Sequence, residues 1–156
     1  MIRILLVDDQ KVVRDGLRSL LTPEPDIAIV GEAGDGREAI EIARRLDPDI
    51  ILLDVRMPQM DGLSALGPIK LASPRSSVIM VTLYDDTEYL LRAVAAGAAG
   101  YVLKDASRSA LVDAVRLTAE GGGIVSPALM PRLLNEVGRM LEREERRRVA
   151  PDEGVL

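Results

Sequence analysis

The sequence feature that most constrains the fold is a short apolar run that ends in an acidic residue. The run is IILL at positions 50–53, with Asp-Pro-Asp before it and Asp54 directly after it. An apolar run of this length between turn residues predicts a strand that is buried on both faces. Because an isolated carboxylate is costly to bury, Asp54 is expected where the strand leaves the sheet, at the edge where open parallel sheets bind ligands. Taken alone, Asp54 is equally consistent with a residue that caps the following turn.

Strands and helices alternate five times along the chain, and the strands are mostly continuous apolar runs. This pattern predicts an α/β fold, a doubly wound parallel sheet of five strands with helices on both faces. Gly67-Pro68 is expected to loosen the third helix, because proline cannot continue the helical hydrogen bonding. The predicted strands are 2–7, 27–30, 50–53, 76–83 and 100–103, and the predicted helices are 11–21, 37–46, 63–71, 87–96, 108–118 (with Ser107 as its N-cap) and 127 to about 148.

Polar side chains stand where four of the predicted strands end. Asp8 and Asp9 follow the first strand, Asp54 follows the third, Thr82 lies at the end of the fourth, and Lys104 follows the fifth. In a parallel sheet these ends lie at one edge, so three carboxylates, a hydroxyl and an ammonium should converge there. Such a carboxylate cluster either holds protons or binds a hard cation, and Mg²⁺ suits carboxylate and phosphate oxygens. A cation, an ammonium and a hydroxyl around one carboxylate describe a site that moves a phosphoryl group onto it.

The composition excludes several other kinds of site. The chain of 156 residues has no cysteine and no histidine, which excludes disulfides, thiolate zinc sites, a cysteine nucleophile and a histidine general base. A formal net charge of -5 argues against a chain that grips nucleic acid through a basic face. Neither a signal peptide nor an apolar run of transmembrane length is recognisable. A hydrophobic fraction of 47% without Phe or Trp predicts one domain with an aliphatic core.

Five longer motifs connect these elements to a known family. They are ILLVDDQKVVRDGLRSLL (4–21), GEAGDGREAI (31–40), PDIILLDVRMPQMDGL (48–63), VIMVTLYDD (78–86) and AAGAAGYVLKDAS (95–107). Together they resemble the receiver domain of bacterial two-component response regulators, in particular the NarL/FixJ branch that is usually joined to a LuxR-type helix-turn-helix. The resemblance covers about residues 1 to 122. It implies a CheY-like, flavodoxin-like fold with strand order 2-1-3-4-5.

The resemblance assigns a role to each acidic residue at the sheet edge. It implies that Asp54 is the phosphoacceptor and that the chain is a receiver with weak phosphorylation chemistry of its own, not an enzyme. Asp8, Asp9 and Asp54 would bind Mg²⁺, with Asp9 as the direct ligand and Asp8 acting through water. The backbone carbonyl of Arg56 would complete the protein ligands.

The resemblance also implies a conformational switch. Thr82 and Lys104 would hold the phosphoryl oxygens, and the face from Tyr84 to Thr118 would then change shape. Tyr101 matches the aromatic position that swings inward when Thr82 moves, although a strand tyrosine that simply packs on its neighbours is the alternative. The family often has a cis proline after the lysine, where this chain has Asp105. A non-proline cis bond costs about 2.5–4 kcal/mol, so the resemblance does not fix the geometry of that bond.

The partners and the location also follow from the resemblance. A sensor histidine kinase would supply the phosphoryl group in the cytoplasm, and phosphorylation would promote a symmetric homodimer. Either the first and fifth helices or the face from the fourth strand to the fifth helix would form that dimer. The chain would contact DNA only through an output domain that lies outside it, and it would contact no membrane.

The chain is expected to divide into three parts. Residues 1–122 would form the receiver domain, 123–148 a linker helix region and 149–156 a flexible tail. The tail does not resemble the start of a LuxR-type output domain, so the DNA-binding, transcription-regulating output is expected to be absent from this chain. A stand-alone receiver that acts through protein contacts is the alternative.

Two other functions are also considered. The first is a Mg²⁺-dependent phosphohydrolase with an aspartyl-phosphate intermediate. That class resembles D-x-D at the nucleophile, whereas Asp54-Val55-Arg56 places arginine where the acid/base would stand. The second is a nucleotide-binding module, suggested by GEAGDG at 31–36. Its glycine spacing does not match G-x-G-x-x-G, so a loop is favoured.

Overall fold

The computed structural model describes residues 1–83, 87–122, 124–125 and 130–155. Strands and helices alternate throughout these residues. The strands are β1 (Ile2–Val7), β2 (Ile27–Ala33), β3 (Ile50–Asp54), β4 (Ser77–Thr82), β5 (Gly100–Leu103) and β6 (Ile124–Val125). The helices are α1 (Lys11–Leu21), α2 (Gly36–Leu46), α3 (Gly62–Ala72), α4 (Thr87–Ala95), α5 (Arg108–Ala119) and α6 (Met130–Val155).

The strands form one parallel sheet in the order β2-β1-β3-β4-β5-β6. The predicted order of the first five strands and the doubly wound α/β fold are confirmed. β6 was not predicted; it pairs with β5, where Gly100 stands opposite Ile124 and Tyr101 opposite Val125. Because the strands are parallel, the carboxyl ends of β1, β3, β4 and β5 lie at one edge of the sheet.

β3 forms the centre of the sheet because its side chains fill both hydrophobic layers. Ile51 and Leu53 contribute to a layer shared with α2, α3 and α4, whereas Ile50 and Leu52 contribute to a layer shared with α1 and α5. All five residues of β3 are buried. The predicted strand with two buried faces is therefore confirmed, and the chain beyond it has to emerge at the sheet edge.

Polar side chains fix the starts of two helices next to that edge. Asp61 accepts a hydrogen bond of 2.8 Å from the backbone N–H of Ser64 at the start of α3. Ser107 accepts one of 3.2 Å from the N–H of Ala110, which confirms the predicted N-cap of α5. α3 continues without interruption past Pro68, so the expected loosening does not shorten it.

The C-terminal helix α6 extends beyond the predicted linker boundary at residue 148. Its predicted start at Pro127 lies outside the described residues. α6 lies against α4, and its described apolar side chains, Leu134, Val137, Met140 and Leu141, are exposed. Among the described residues, no helix is both long enough and apolar enough to cross a membrane.

Candidate functional site

Three carboxylates meet at the carboxyl ends of β1 and β3. These strands are neighbours, and Val7 of β1 stands opposite Leu53 of β3, so the residues that follow them are brought side by side. Asp8, Asp9 and Asp54 each offer a carboxylate oxygen, and these oxygens lie within 4.8 Å of one another. Asp8 is 1% exposed and Asp54 is 5% exposed, whereas Asp9 is open to solvent.

β4 and β5 bring a hydroxyl and an ammonium to the same place. Thr82 ends β4 opposite Leu103 and is buried, and the backbone N–H of Lys104 donates to the Thr82 carbonyl at 2.6 Å. The Nζ of Lys104 lies 2.7 Å from Oδ2 of Asp8 and 3.2 Å from Oδ1 of Asp54. No described peptide bond is cis, so the bond between Lys104 and Asp105 is trans.

Hydrogen bonds hold Asp8 at two main-chain atoms and one carboxylate oxygen. Its N–H donates to the carbonyl of Ala33 at 3.1 Å, and its Oδ1 accepts from the N–H of Gln10 at 2.9 Å. Its carbonyl accepts a 2.6 Å hydrogen bond from Nη1 of Arg14 on α1. These contacts leave Oδ2 as the carboxylate oxygen that faces Lys104.

The loop after β3 folds tightly against the backbone of Asp54. The N–H of Gly62 donates to the Val55 carbonyl at 2.8 Å, and a Cβ at position 62 would lie 2.1 Å from the Asp54 carbonyl oxygen. Only glycine leaves room for this close approach. The N–H of Arg56 lies 3.4 Å from Oδ1 of Asp54, a long hydrogen bond to the carboxylate.

Burial and charge shift the ionisation of this cluster. Burial, followed by the negative charge of Asp8, raises the pKa of Asp54 from 3.8 to about 6, against the opposing effect of Lys104. Burial alone would lower the pKa of Lys104, but its hydrogen bond with Asp8 and the charges of Asp54 and Asp8 outweigh burial and raise it. Lys104 therefore stays charged, whereas Asp54 takes up its proton at a higher pH than an exposed aspartate does.

The donor set fits a Mg²⁺ ion. Three carboxylates supply the hard oxygen ligands that Mg²⁺ prefers. A divalent cation would offset the repulsion from Asp8 that, after burial, raises the pKa of Asp54. Oδ2 of Asp8 is buried at the base of the cluster and lies 2.7 Å from the Lys104 ammonium. Asp8, Asp9 and Asp54 are therefore the side chains that could hold the metal.

A cavity opens directly over the acidic cluster. It has a volume of about 130 Å³, large enough for a small anion, and the largely buried Asp54 carboxylate forms part of its wall. An oxyanion in this cavity would meet both a hydroxyl and an ammonium. The lining residues are Gln10, Asp54, Arg56, Thr82, Leu83 and Lys104.

Two tyrosines lie near the site in different settings. Tyr101 is 1% exposed and packs in the hydrophobic layer beneath α4. Tyr89 of α4 lies near two guanidinium groups, with the Cζ atoms of Arg56 and Arg92 at 5.7 and 5.8 Å from its ring centroid. Arg56 thus connects the loop that follows Asp54 with α4. Tyr84, which the sequence also placed beside the site, lies outside the described residues.

Sequence reasoning missed three residues that shape this site. Arg14, Gln10 and Gly62 each position a backbone or carboxylate group of Asp8 or Asp54. The Asp-Gly pair before a helix could have indicated a tight approach at Gly62, although such a pair is also typical of an ordinary turn. Arg14 stands among other polar residues of an amphipathic helix, and nothing in the sequence marks it as reaching the end of β1.

The site geometry agrees with a comparison to known families. Residues 4–116 match the family described as the response regulator receiver domain. The chain belongs to this family. The match covers β1 through most of α5, and therefore all the side chains that meet at the sheet edge.

Individual relatives of this receiver domain are transcriptional regulators. The uncharacterized transcriptional regulatory protein YxjL of Bacillus subtilis is 38% identical over 138 residues, which are 88% of this chain and 63% of YxjL. The transcriptional regulatory protein LnrK of the same organism is 40% identical over 87% of this chain and 62% of its own length. The chain thus spans about three fifths of the length of these curated relatives.

Solved structures give the same assignment. A LuxR-family two-component response regulator from Aurantimonas sp. SI85-9A1 superposes with a TM-score of 0.82 at 34% identity, over 86% of this chain and 96% of that one. The receiver domain of the putative response regulator NarL from Mycobacterium tuberculosis gives a TM-score of 0.73 at 34% identity, over 77% of this chain and 97% of that one.

Proposed function

We propose that this chain is a phosphorylation-controlled receiver in which Asp54 accepts a phosphoryl group. The observation that carries the proposal is the surroundings of Asp54. Its carboxylate lies beside the Lys104 ammonium at 3.2 Å, has two further carboxylates within 4.8 Å and opens into a cavity of about 130 Å³. A nucleophilic carboxylate, a fixed cation and space for an oxyanion are what phosphoryl transfer to an acid needs.

In the proposed reaction an oxygen of Asp54 forms a bond to phosphorus. The bond from phosphorus to the donor atom breaks, and the electron pair of that bond stays on the donor. Lys104 pairs with one phosphoryl oxygen and Thr82 donates a hydrogen bond to another, so charge on the transferred group is balanced by groups already in place. The support for these roles is that both side chains line the cavity over Asp54.

Asp8, Asp9 and Asp54, with the backbone carbonyl of Arg56, would hold Mg²⁺ at this site. When bound, the ion supplies positive charge that stabilises the phosphoryl oxygens. The attacking carboxylate has to be ionised, and without a metal the pKa of Asp54 is raised to about 6. Positive charge among the acids favours the ionised form, so the same residues that hold the ion keep Asp54 reactive near neutral pH.

Phosphorylation would change β4 and β5. The modification replaces one negative charge by roughly two and adds acceptor oxygens that Thr82 and Lys104 contact. Since Thr82 ends β4 and α4 follows it, a shift of Thr82 alters the packing beneath α4, where Tyr101 lies. The energy available for this switch is the difference in these contacts between the two states.

The proposed partners follow from the chemistry and from the relatives. The proposed phosphoryl donor is the phosphohistidine of a cytoplasmic sensor kinase, and because this chain has no histidine that residue has to belong to the partner. The relatives that are named transcriptional regulators are longer than this chain, so DNA contact is proposed only through an output domain beyond α6. Homodimerisation on phosphorylation belongs to the same proposal.

A Mg²⁺-dependent phosphohydrolase is the competing function, because it would use the same acids. Asp54 is followed two residues later by Arg56, whose side chain cannot shuttle a proton. In a hydrolase of this class, an acid at position 56 would have to activate water in every turnover. Arg56 cannot do this, so the receiver function is favoured.

The test is incubation of the chain with Mg²⁺ and acetyl phosphate, followed by intact mass spectrometry and a phosphate-release assay. We expect one phosphoryl adduct per chain, lost in Asp54→Asn and kept in Asp15→Asn, which changes an exposed acid on α1. Rapid multi-turnover release of phosphate would favour the hydrolase. Undiminished modification of Asp54→Asn would contradict both functions.

A further inference from the structure

A guanidinium group joins three parts of the chain behind the acidic cluster. Nη1 of Arg14 donates to the Asp8 carbonyl at 2.6 Å, and Nε of the same side chain donates to Oε1 of Glu32 at 2.9 Å. Arg14 belongs to α1 and Glu32 to the end of β2. The Arg14 side chain is 17% exposed and that of Glu32 28%, so both groups are partly withdrawn from water.

We propose that Arg14, anchored by Glu32, is a positioning residue for the metal-binding carboxylate of Asp8. This role rests on the proposed function, since it assumes that Asp8 takes part in holding Mg²⁺. With its N–H bound to Ala33, its Oδ1 bound by Gln10 and its carbonyl bound by Arg14, Asp8 keeps one orientation that leaves Oδ2 directed at the site.

The fork geometry of arginine suits this role. Its guanidinium is planar and presents several N–H donors in fixed directions, so it can contact a carbonyl and a carboxylate at once. A lysine ammonium in the same place would carry the charge but lack that planar fork. Glu32 is itself held from the other side, because Oε2 accepts a 2.5 Å hydrogen bond from Arg18, and these two arginines hold the pKa of Glu32 below its usual value.

Charge repulsion and positioning predict opposite effects of removing Arg14 on Mg²⁺ affinity. Arg14 is a cation next to a cation site, so its removal would strengthen Mg²⁺ binding if only Coulomb repulsion mattered. If Arg14 positions Asp8, its removal weakens binding. Groups that orient a metal ligand from behind typically contribute ten- to a hundredfold in affinity, so we expect a loss of about tenfold or more.

The experiment measures the Mg²⁺ dissociation constant, without phosphorylation, for the unmodified chain, Arg14→Gln and Arg14→Lys. Titration of isotope-labelled protein with MgCl₂ would follow the amide of Gln10, which donates to Asp8. We expect both substitutions to weaken binding about tenfold or more. Unchanged or tighter binding in Arg14→Gln, or full affinity in Arg14→Lys, would overturn the role.

Arg18→Gln is the matched control. Arg18 lies one turn further along α1 and pairs with the same Glu32, but its hydrogen bonds in the described chain include none to Asp8. A merely structural ion pair would lower the unfolding midpoint of both variants and leave both Mg²⁺ affinities unchanged. If Arg14→Gln does not fold, Glu32→Gln tests the anchor by the same titration, with weaker binding expected and unchanged affinity counting against the role.

The unmodified chain distinguishes the two proposals. If it binds no Mg²⁺ and takes up no phosphoryl group, the proposed function fails. If it does both, and the affinity of Arg14→Gln matches it, only the positioning role fails.

Discussion

Asp54→Asn should make the metal-free protein more stable, although it removes the reactive group. Asp54 is 5% exposed and lies beside Asp8, and both conditions penalise the negative charge of its carboxylate. The amide has nearly the same shape and carries no charge. The penalty should therefore disappear in the variant while the packing of β3 is kept.

The size of the effect follows from the pKa of Asp54, which rises from 3.8 to about 6 on folding. At 1.36 kcal/mol for each pKa unit, this rise corresponds to about 3 kcal/mol. That value already includes the opposing attraction of Lys104, which keeps Asp8 as a partner in the variant. Since small domains unfold with about 5–15 kcal/mol, the difference should be easy to measure.

The sign of the pH dependence follows from proton binding. The folded protein binds the Asp54 proton more tightly than the unfolded chain, so this group lowers stability as pH rises from about 4 to about 6. Urea unfolding with EDTA, followed by far-ultraviolet circular dichroism, would compare both proteins across this range. We expect Asp54→Asn to be about 3 kcal/mol more stable at about pH 8, and we expect this advantage to fall below about 1 kcal/mol at about pH 4.

Asp9→Asn is the control, because Asp9 belongs to the same cluster but is open to solvent. It should change the free energy of unfolding much less than Asp54→Asn. A stability difference for Asp54→Asn that is the same at both pH values would refute the reasoning, since a buried charge must respond to its own protonation. Saturating Mg²⁺ should reduce the advantage of the variant, because the ion stabilises the carboxylate form.

Two further substitutions test how the chain positions the site. Gly62→Ala should destabilise the protein by about 1–3 kcal/mol or more in urea unfolding, because its Cβ would lie 2.1 Å from the Asp54 carbonyl oxygen. In the control Gly16→Ala the new Cβ would have no atom within 4 Å, so this substitution should stabilise the protein by about 0.5–1 kcal/mol. Equal effects of the two substitutions on stability would contradict the close approach at Gly62. Ser107→Ala should lower the free energy of unfolding by about 0.5–2 kcal/mol in the same assay, because the N–H of Ala110 loses its hydrogen-bond acceptor. Ser107→Asp keeps an acceptor at this position and should therefore retain most of the stability. An equal loss of stability in Ser107→Asp would argue against capping.

The sheet and the meeting of polar side chains at its edge were accessible from sequence because both depend on simple patterns. Apolar runs of strand length, each followed by a polar residue, place those residues at one edge once the strands are parallel. The structure brings Asp8, Asp54, Thr82 and Lys104 together as expected. Their chemical roles stay predictions.

Other features depend on contacts that no local pattern encodes. Asp8 and Asp9 are adjacent acids, yet one is buried and the other exposed, and that difference arises from the turn between β1 and α1. Arg14 reaches Asp8 and Glu32 only because α1 packs next to β2. β6 has two residues, too few to show any periodicity.

The sequence pattern of the third helix likewise did not predict that α3 continues without interruption past Pro68. Proline removes one N–H from the helix interior and usually interrupts it. Buried residues on both sides of it, Leu66 and Ile69, anchor α3 to the sheet. Tertiary packing therefore overrides the local preference, which is the ordinary limit of propensity arguments.

The placement of Tyr89 and Tyr101 also confines the aromatic absorbance and fluorescence of the protein to one region. The chain has three tyrosines and no tryptophan or phenylalanine, and all three tyrosines fall in the stretch from position 84 to position 101. Aromatic absorbance and emission therefore originate entirely from positions 84 to 101, while the half built from β1, β2 and β3 has no side-chain signal in the near ultraviolet. Unlabelled protein thus carries its own chromophores in the segment next to Thr82, and in no other part of its sequence.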